Sequence, residues 1–294
     1  MTWQLTLTGL FIGLLVGLTG MGGGSLMTPI LILFFGFKPT LAVGTDILHG
    51  AVFKSFGAVQ HRRLGTVHAR MTFWMFIGSA PMSLAGVQTA EWLQGRYGDG
   101  VESTSAKVIG AALVLGGLGF LAKTFVNRGV QPDDAPFLLR NRDRVICFVL
   151  GAVGGYIVGL TSVGSGTFFA LVMLLVFPLT AAKIVGTDIF HAAALLWVAG
   201  FAHLLHGNVD LGAMAWLLLG SVPGILVGSR LTVRLPERSL RVALATVLLA
   251  SGLRLLEVPA YDILVPVVLA TGAVVAAVVE FKRLNGRVAQ TDPV

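Results

Sequence analysis

Charge is what this chain is short of. Only 12% of its 294 residues are charged, while 55% are hydrophobic; an ordinary soluble domain carries roughly a quarter charged residues. That balance excludes a soluble globular protein and indicates a membrane protein. Cysteine is nearly missing too. The single Cys147 excludes an intramolecular disulfide and a Cys/His zinc pattern, and at the start of an apolar run it reads as a small packing residue. There is no Walker loop and no nucleophile elbow. Ten-residue segments of alternating hydrophobicity are also absent, which excludes a transmembrane β-barrel. What the chain does contain is apolar runs, at 3–18, 73–87, 108–120, 145–160, 216–227, 242–253 and 263–279. With their flanking residues these approach the ~20 residues needed to span a bilayer. The expected class is all-α, a polytopic helical membrane protein. The opening MTWQLTLTG has no basic n-region, so the first apolar segment is expected to be retained rather than cleaved.

A net charge of +7 is also what a nucleic-acid binder carries, but its placement points to topology. Arg62, Arg63 and Arg70 crowd one connection; Arg128, Arg140, Arg142 and Arg144 lie in or beside the central linker. Arg230, Arg234, Arg238 and Arg241 mark a third connection, and Lys282, Arg283 and Arg287 the C-terminal tail. The connections between them are poor in Lys and Arg, with Arg96 alone in 88–104, none in 204–212 and Arg254 alone near 252–262. Cytoplasmic loops collect Lys and Arg, so the basic group lies inside, with the N-terminus outside and the C-terminus cytoplasmic. Between the inner linker and the outer loop at 203–212 stand three apolar pieces, 144–161, 167–177 and 184–202. The middle one would rise only ~17 Å as a helix, against ~30 Å of hydrocarbon. A re-entrant hairpin plus one full crossing is expected, without fixing which two pieces make the hairpin.

The chain also repeats itself. Shifted by 142 residues, VGTDILH at 43–49 falls on VGTDIFH at 185–191. The same shift matches Thr19 with Thr161, Gly22 with Gly164, Gly24 with Gly166, His61 with His203, Trp74 with Trp216, and Pro81 with Pro223. Composition bias could match Leu and Val, but not Thr-Asp-x-x-His. The parity of the basic loops makes the halves inverted, which gives a first repeat at 1–126, a cytoplasmic linker at 127–143, a second repeat at 144–260, and an extra C-terminal helix and tail at 261–294. Inverted-repeat transporters bind substrate near the midplane, between Gly-interrupted segments at corresponding positions. Such segments stand at 17–25 (GLTGMGGGS) and 159–167 (GLTSVGSGT).

Glycines at 22–24 let the backbone turn sharply near a ligand. A helix opening at Ser25 or Thr167 would aim N–H groups and a positive dipole end at an anion; the plainer reading is close helix packing. Asp46 and His49, like Asp188 and His191, are spaced i, i+3 and share a helix face. They suit a protonation site or metal ligation, while Thr45 or Asp46 could equally cap a helix starting there, after Pro39 and Gly44. Lys54, matched by Leu196, could bind an anion, but the favoured reading is that it snorkels to the inner interface. His61 and His203 are read as interfacial, and Ser79-x-Pro81 and Ser221-x-Pro223 as marks of kinked or closely packed helices.

These residues resemble a known family. G-x-x-G-x-G-G-G-S at 17–25, V-G-T-D at 43–46 and 185–188, and G-S-x-P at 78–81 and 220–223 are similar to motifs of the sulfite exporter TauE/SafE family of bacterial membrane transporters. The resemblance covers most of the chain. It implies transport of a small sulfur-containing anion such as sulfite, thiosulfate or an organosulfonate, often by export and driven by the proton gradient, across the bacterial inner membrane. It makes the two Gly turns site elements. The candidate substrate contacts are Thr19, Gly22, Gly23, Gly24, Ser25 and Thr45 in the first half, and Thr161, Gly164, Ser165, Gly166, Thr167 and Thr187 in the second. A proton-coupling or gate role for Asp46, His49, Asp188 and His191 comes from the residues themselves. A divalent-cation permease is the runner-up, weakened by the scarcity of further carboxylates in the apolar segments. An intramembrane enzyme comes third. The expected partners are the anion and the bilayer, with no nucleic acid, no cofactor and no metal.

Overall fold

Local chemistry sets where each helix starts and stops. The computed structural model describes residues 2–19, 24–97, 138–162, 168–179 and 181–231, with scattered residues between 107 and 122 and between 245 and 274. Among the described residues every regular element is an α-helix. α1 (Thr2–Thr19), α2 (Gly24–Phe35), α3 (Pro39–Arg63) and α4 (Ala69–Tyr97) belong to the first half; α5 (Asn141–Thr161), α6 (Phe168–Val176), α7 (Ala181–Leu205) and α8 (Leu211–Leu231) to the second. Pro39 opens α3 at a position where its missing N–H costs nothing. His61, Arg62 and Arg63 close it, complementing the dipole's negative end. Gly65 and Gly207 then turn the chain at φ +69° and +76°, where a side chain would be strained. At the start of α5 the Arg140 N–H donates to the Asp143 carboxylate at 2.9 Å.

The three apolar pieces expected before the outer loop appear as α5, α6 and α7. With nine residues α6 rises about 13 Å, and with twelve α2 rises about 18 Å. Neither can cross ~30 Å of hydrocarbon alone. α3 and α7 have 25 residues each and rise about 37 Å. By length and composition Asn141–Thr161 and Gly186–Leu205 are long and apolar enough to cross a membrane, with shorter apolar helices at Thr2–Val16 and Leu211–Val227.

The helices of the two halves interleave. α1 packs mainly against α8 of the other half, α5 mainly against α4, and α3 against α7. α3 also meets α8, α7 meets α4, α2 rests on α3 and α6 on α7. Each contact has a counterpart under the 142-residue shift. The two long seams are lined by small residues. A Cβ on Gly9 or Gly13 would land on the Leu217 or Ser221 backbone, and one on Gly151 or Gly155 on the Met75 or Ser79 backbone. From the facing side, Gly220 abuts Thr6 and Gly78 abuts Phe148. Between membrane helices there is little hydrophobic drive, so such close backbone approach supplies the attraction. Outward, Phe11, Phe73, Val149, Leu219 and Leu226 are exposed, an apolar belt suited to lipid.

Candidate functional site

Four residues in each repeated motif have separate tasks. Gly44 brings α3 against the turn before α8, where a Cβ would strike the Asn208 carbonyl; Gly186 does the same for α7 against Thr66. Thr45 Oγ1 then accepts the Asp210 N–H at 2.9 Å, and Thr187 Oγ1 accepts the His68 N–H at 2.9 Å. Each threonine thereby satisfies a backbone donor at the start of a helix in the opposite half. His49 Nε2 meets Ser221 Oγ at 2.8 Å, and His191 Nε2 meets Ser79 Oγ at 2.9 Å. Every one of these contacts maps onto its partner under the shift.

The aspartates and histidines of the two motifs are all buried. Asp46 and Asp188 are each 1% exposed, and His49 and His191 are fully buried. Asp46 Oδ2 accepts the Thr28 hydroxyl from α2 at 2.6 Å and the Ser162 hydroxyl at 2.8 Å. Ser162 follows the end of α5 at φ +60°, a left-handed conformation that costs a non-glycine residue about 1–2 kcal/mol. Lys54 is fully buried and acts electrostatically on Asp46 and Asp188. Phe53 and Phe169 close the apolar sides, with ring centroids 4.9 Å from His49 and 4.6 Å from His191. Asp46 Oδ1, His49 Nδ1 and His191 Nδ1 are buried with no hydrogen-bond partner among the described residues. Each such group costs roughly 1–3 kcal/mol, and groups of this kind cluster where a protein handles a proton or a ligand.

Several sequence expectations need correcting. Asp46 and Thr45 do not cap a helix start, because α3 already begins at Pro39 with Lys38 as its cap. α7 likewise begins at Ala181, ahead of Thr187 and Asp188. Lys54 does not snorkel to the interface; its nitrogen has a charged environment inside the protein. His203, in the last turn of α7, is fully buried, and its Nε2–H donates to the Gly159 carbonyl at 3.0 Å. Thr161 closes α5 with its hydroxyl donating to Ile157 O at 2.7 Å. Thr19 closes α1, and Gly24 and Ser25 open α2. Gly22, Gly23, Gly164, Ser165, Gly166 and Thr167 lie outside the described residues.

The partners that sequence reasoning missed are Ser79, Ser221, Thr28, Ser162 and Lys54. The serines carried a signal, since both recur under the shift beside matched histidines.

A family model described as "Sulfite exporter TauE/SafE" matches residues 5–255. Among curated proteins, the probable membrane transporter protein YjnA of Bacillus subtilis (strain 168) is 38% identical over 256 residues, covering 87% of this chain and 100% of the relative. YdhB of the same organism, another probable membrane transporter protein, is 25% identical over 248 residues, covering 83% and 96%. No solved structure matches the chain.

Proposed function

The chain belongs to the sulfite exporter TauE/SafE family, and on that premise we propose that this membrane transporter is a proton-linked secondary carrier of a small sulfur-containing anion, sulfite or an organosulfonate, in the bacterial inner membrane. The observation that carries the reading is the buried Asp/His network at the contact of α3 and α7, in which Asp46 Oδ1, His49 Nδ1 and His191 Nδ1 have no hydrogen-bond partner among the described residues. In this reading the halves are inverted, α2 and α6 with the Gly turns beside them form the re-entrant elements, and those turns supply N–H groups to the anion. Thr19, Thr161 and the residues of the turns touch substrate. Thr45 and Thr187 hold the helix starts of the opposite half in register.

The aspartates supply the coupling. A carboxylate close to an anion site repels the substrate unless it carries a proton. Protonation therefore favours anion binding, and anion release favours proton loss, which links the two fluxes. Two observations favour an anion over a divalent cation. Each motif histidine commits Nε2 to a serine, and among the described residues no three of His, Cys, Asp and Glu gather as a metal-binding group.

The deciding experiment is flux of sulfite, a sulfonate and nickel in proteoliposomes, with and without a pH gradient. Sulfite or sulfonate flux driven by the gradient is expected. Anion affinity should weaken as pH rises in the wild type and stop doing so in Asp46→Asn/Asp188→Asn. Nickel flux without anion flux would overturn the assignment, and a double variant with wild-type pH dependence would remove the aspartates from coupling.

A further inference from the structure

The match between the two halves fails at one charge. Lys54 is fully buried on α3, two turns beyond Asp46, and its counterpart on α7 is Leu196, 1% exposed. Among the described residues the network has two copies of Asp, of His and of Ser, but one ammonium. That ammonium acts electrostatically on both carboxylates and on both imidazoles. The other groups around it are few. α7 presents Asp188 and His191, with Lys183 and His203 more than a turn to either side; α2 presents the Thr28 hydroxyl, α8 the Ser221 hydroxyl, and the end of α5 the Ser162 hydroxyl. On α3 itself His61, Arg62 and Arg63 lie in the last turn.

An uncompensated charge in such surroundings costs several kcal/mol. With the imidazoles neutral, one ammonium balances one carboxylate and leaves the second to be balanced by a proton. We propose that Lys54 is the fixed counter-ion that makes the Asp46/Asp188 pair a one-proton carrier. The pair exchanges one proton, and each aspartate in turn takes the ammonium while the other takes the proton. This rests on the proton-coupled anion reading above and sets its stoichiometry. The cluster is neutral when protonated and carries a single negative charge when not. A monovalent anion entering with the proton restores that same negative charge, so the loaded and empty carriers cross with equal charge and the cotransport is electroneutral.

The proton count can be read without any substrate, from the protonated-carboxyl C=O stretch in infrared difference spectra of the purified full chain between low and high pH. Measured against Asp46→Asn/Asp188→Asn, so that the other twelve acidic side chains cancel, the wild type should show one exchangeable carboxyl. Either Asp46→Asn or Asp188→Asn alone should abolish it, because Lys54 then has a single carboxylate to balance. Lys54→Leu, which copies the other half, should roughly double the band. Moving the ammonium with Lys54→Leu/Leu196→Lys should restore the single band, and that variant together with the Asn variants decides the question if Lys54→Leu does not fold. Two independent proton sites would instead leave about half the signal in each Asn variant, which overturns the proposal. So would an unchanged band in folded Lys54→Leu. Methanesulfonate flux in proteoliposomes should respond to a pH gradient and not to an imposed membrane potential; a response to potential overturns electroneutrality. If no sulfonate or sulfite moves at all, the transport reading fails, while the infrared count still decides the carrier.

Discussion

Adding one methyl group at Gly155 should disable the site from a distance. A Cβ there would sit 2.5 Å from Ser79 Cα and 2.8 Å from Ser79 Cβ, and these atoms cannot give way unless α4 moves. Reaching ordinary van der Waals separation opens the α4–α5 seam by roughly 1 Å, and a gap of that size forfeits a quarter to a half of each contact's well. Over the ~40–60 atom pairs typical of one buried side chain, at 0.1–0.2 kcal/mol each, the loss is about 2–4 kcal/mol. Alanine's better helix propensity returns about 1 kcal/mol. Gly95 is the control, since nothing lies within 4 Å of a Cβ there and Gly95→Ala keeps only the gain. The two variants should therefore differ by about 2–4 kcal/mol, on the order of 10 °C in apparent Tm in detergent. Because the displaced residue is Ser79, the 2.9 Å contact to His191 should also lengthen and transport should fall. Gly13→Ala should reproduce both effects through Ser221, whose Cα would be 2.7 Å away, and His49. A Gly155→Ala protein as stable as Gly95→Ala, with full transport, would refute the close-packed seam and its link to the site.

Two further outcomes are expected. In a Cys147→Ser background, Leu64→Cys should label only from the cytoplasm and Leu205→Cys only from outside; both side chains are well exposed, at 64% and 86%, and labelling from the same face would end the inverted arrangement. Ser162→Gly should be more stable than Ser162→Ala by about 1 kcal/mol in thermal unfolding, because glycine relieves the left-handed backbone while both lose the hydroxyl on Asp46; equal stabilities would mean that the backbone strain is not there.

How much of this was legible in the sequence depended on whether a residue repeats. The Asp-x-x-His pairs stood out because polar residues matched at one offset in apolar surroundings are hard to explain otherwise. The boundaries of α5 and α7 followed from apolar run length. Ser79 and Ser221 were legible as marks of close packing, which Gly155 and Gly13 bear out, but not as histidine partners, because His191 and His49 lie far away in sequence. Thr28 and Ser162 gave no signal, since their counterparts are Ala170 and Gly20 and only the tertiary fold brings both hydroxyls to Asp46. Lys54 was misplaced for a related reason. A lysine six and seven positions before a glutamine and a histidine looks close to an interface, and nothing local reveals that it is buried. Capping failed at Asp46 because Pro39, read as a boundary before the helix, is the helix's first residue.

The crossed pairing of α1 with α8 has a consequence for how the protein is made. α1 leaves the ribosome well before α8, yet its glycine face fits that helix, which is among the last of the described elements to be synthesised. At about 5–20 residues per second, α1 waits roughly 10–40 s in the bilayer for its partner. Throughout that interval Gly9 and Gly13 present bare backbone to lipid. Among the described helices of the first half none packs on that face as α8 does, so the groove waits for the second half.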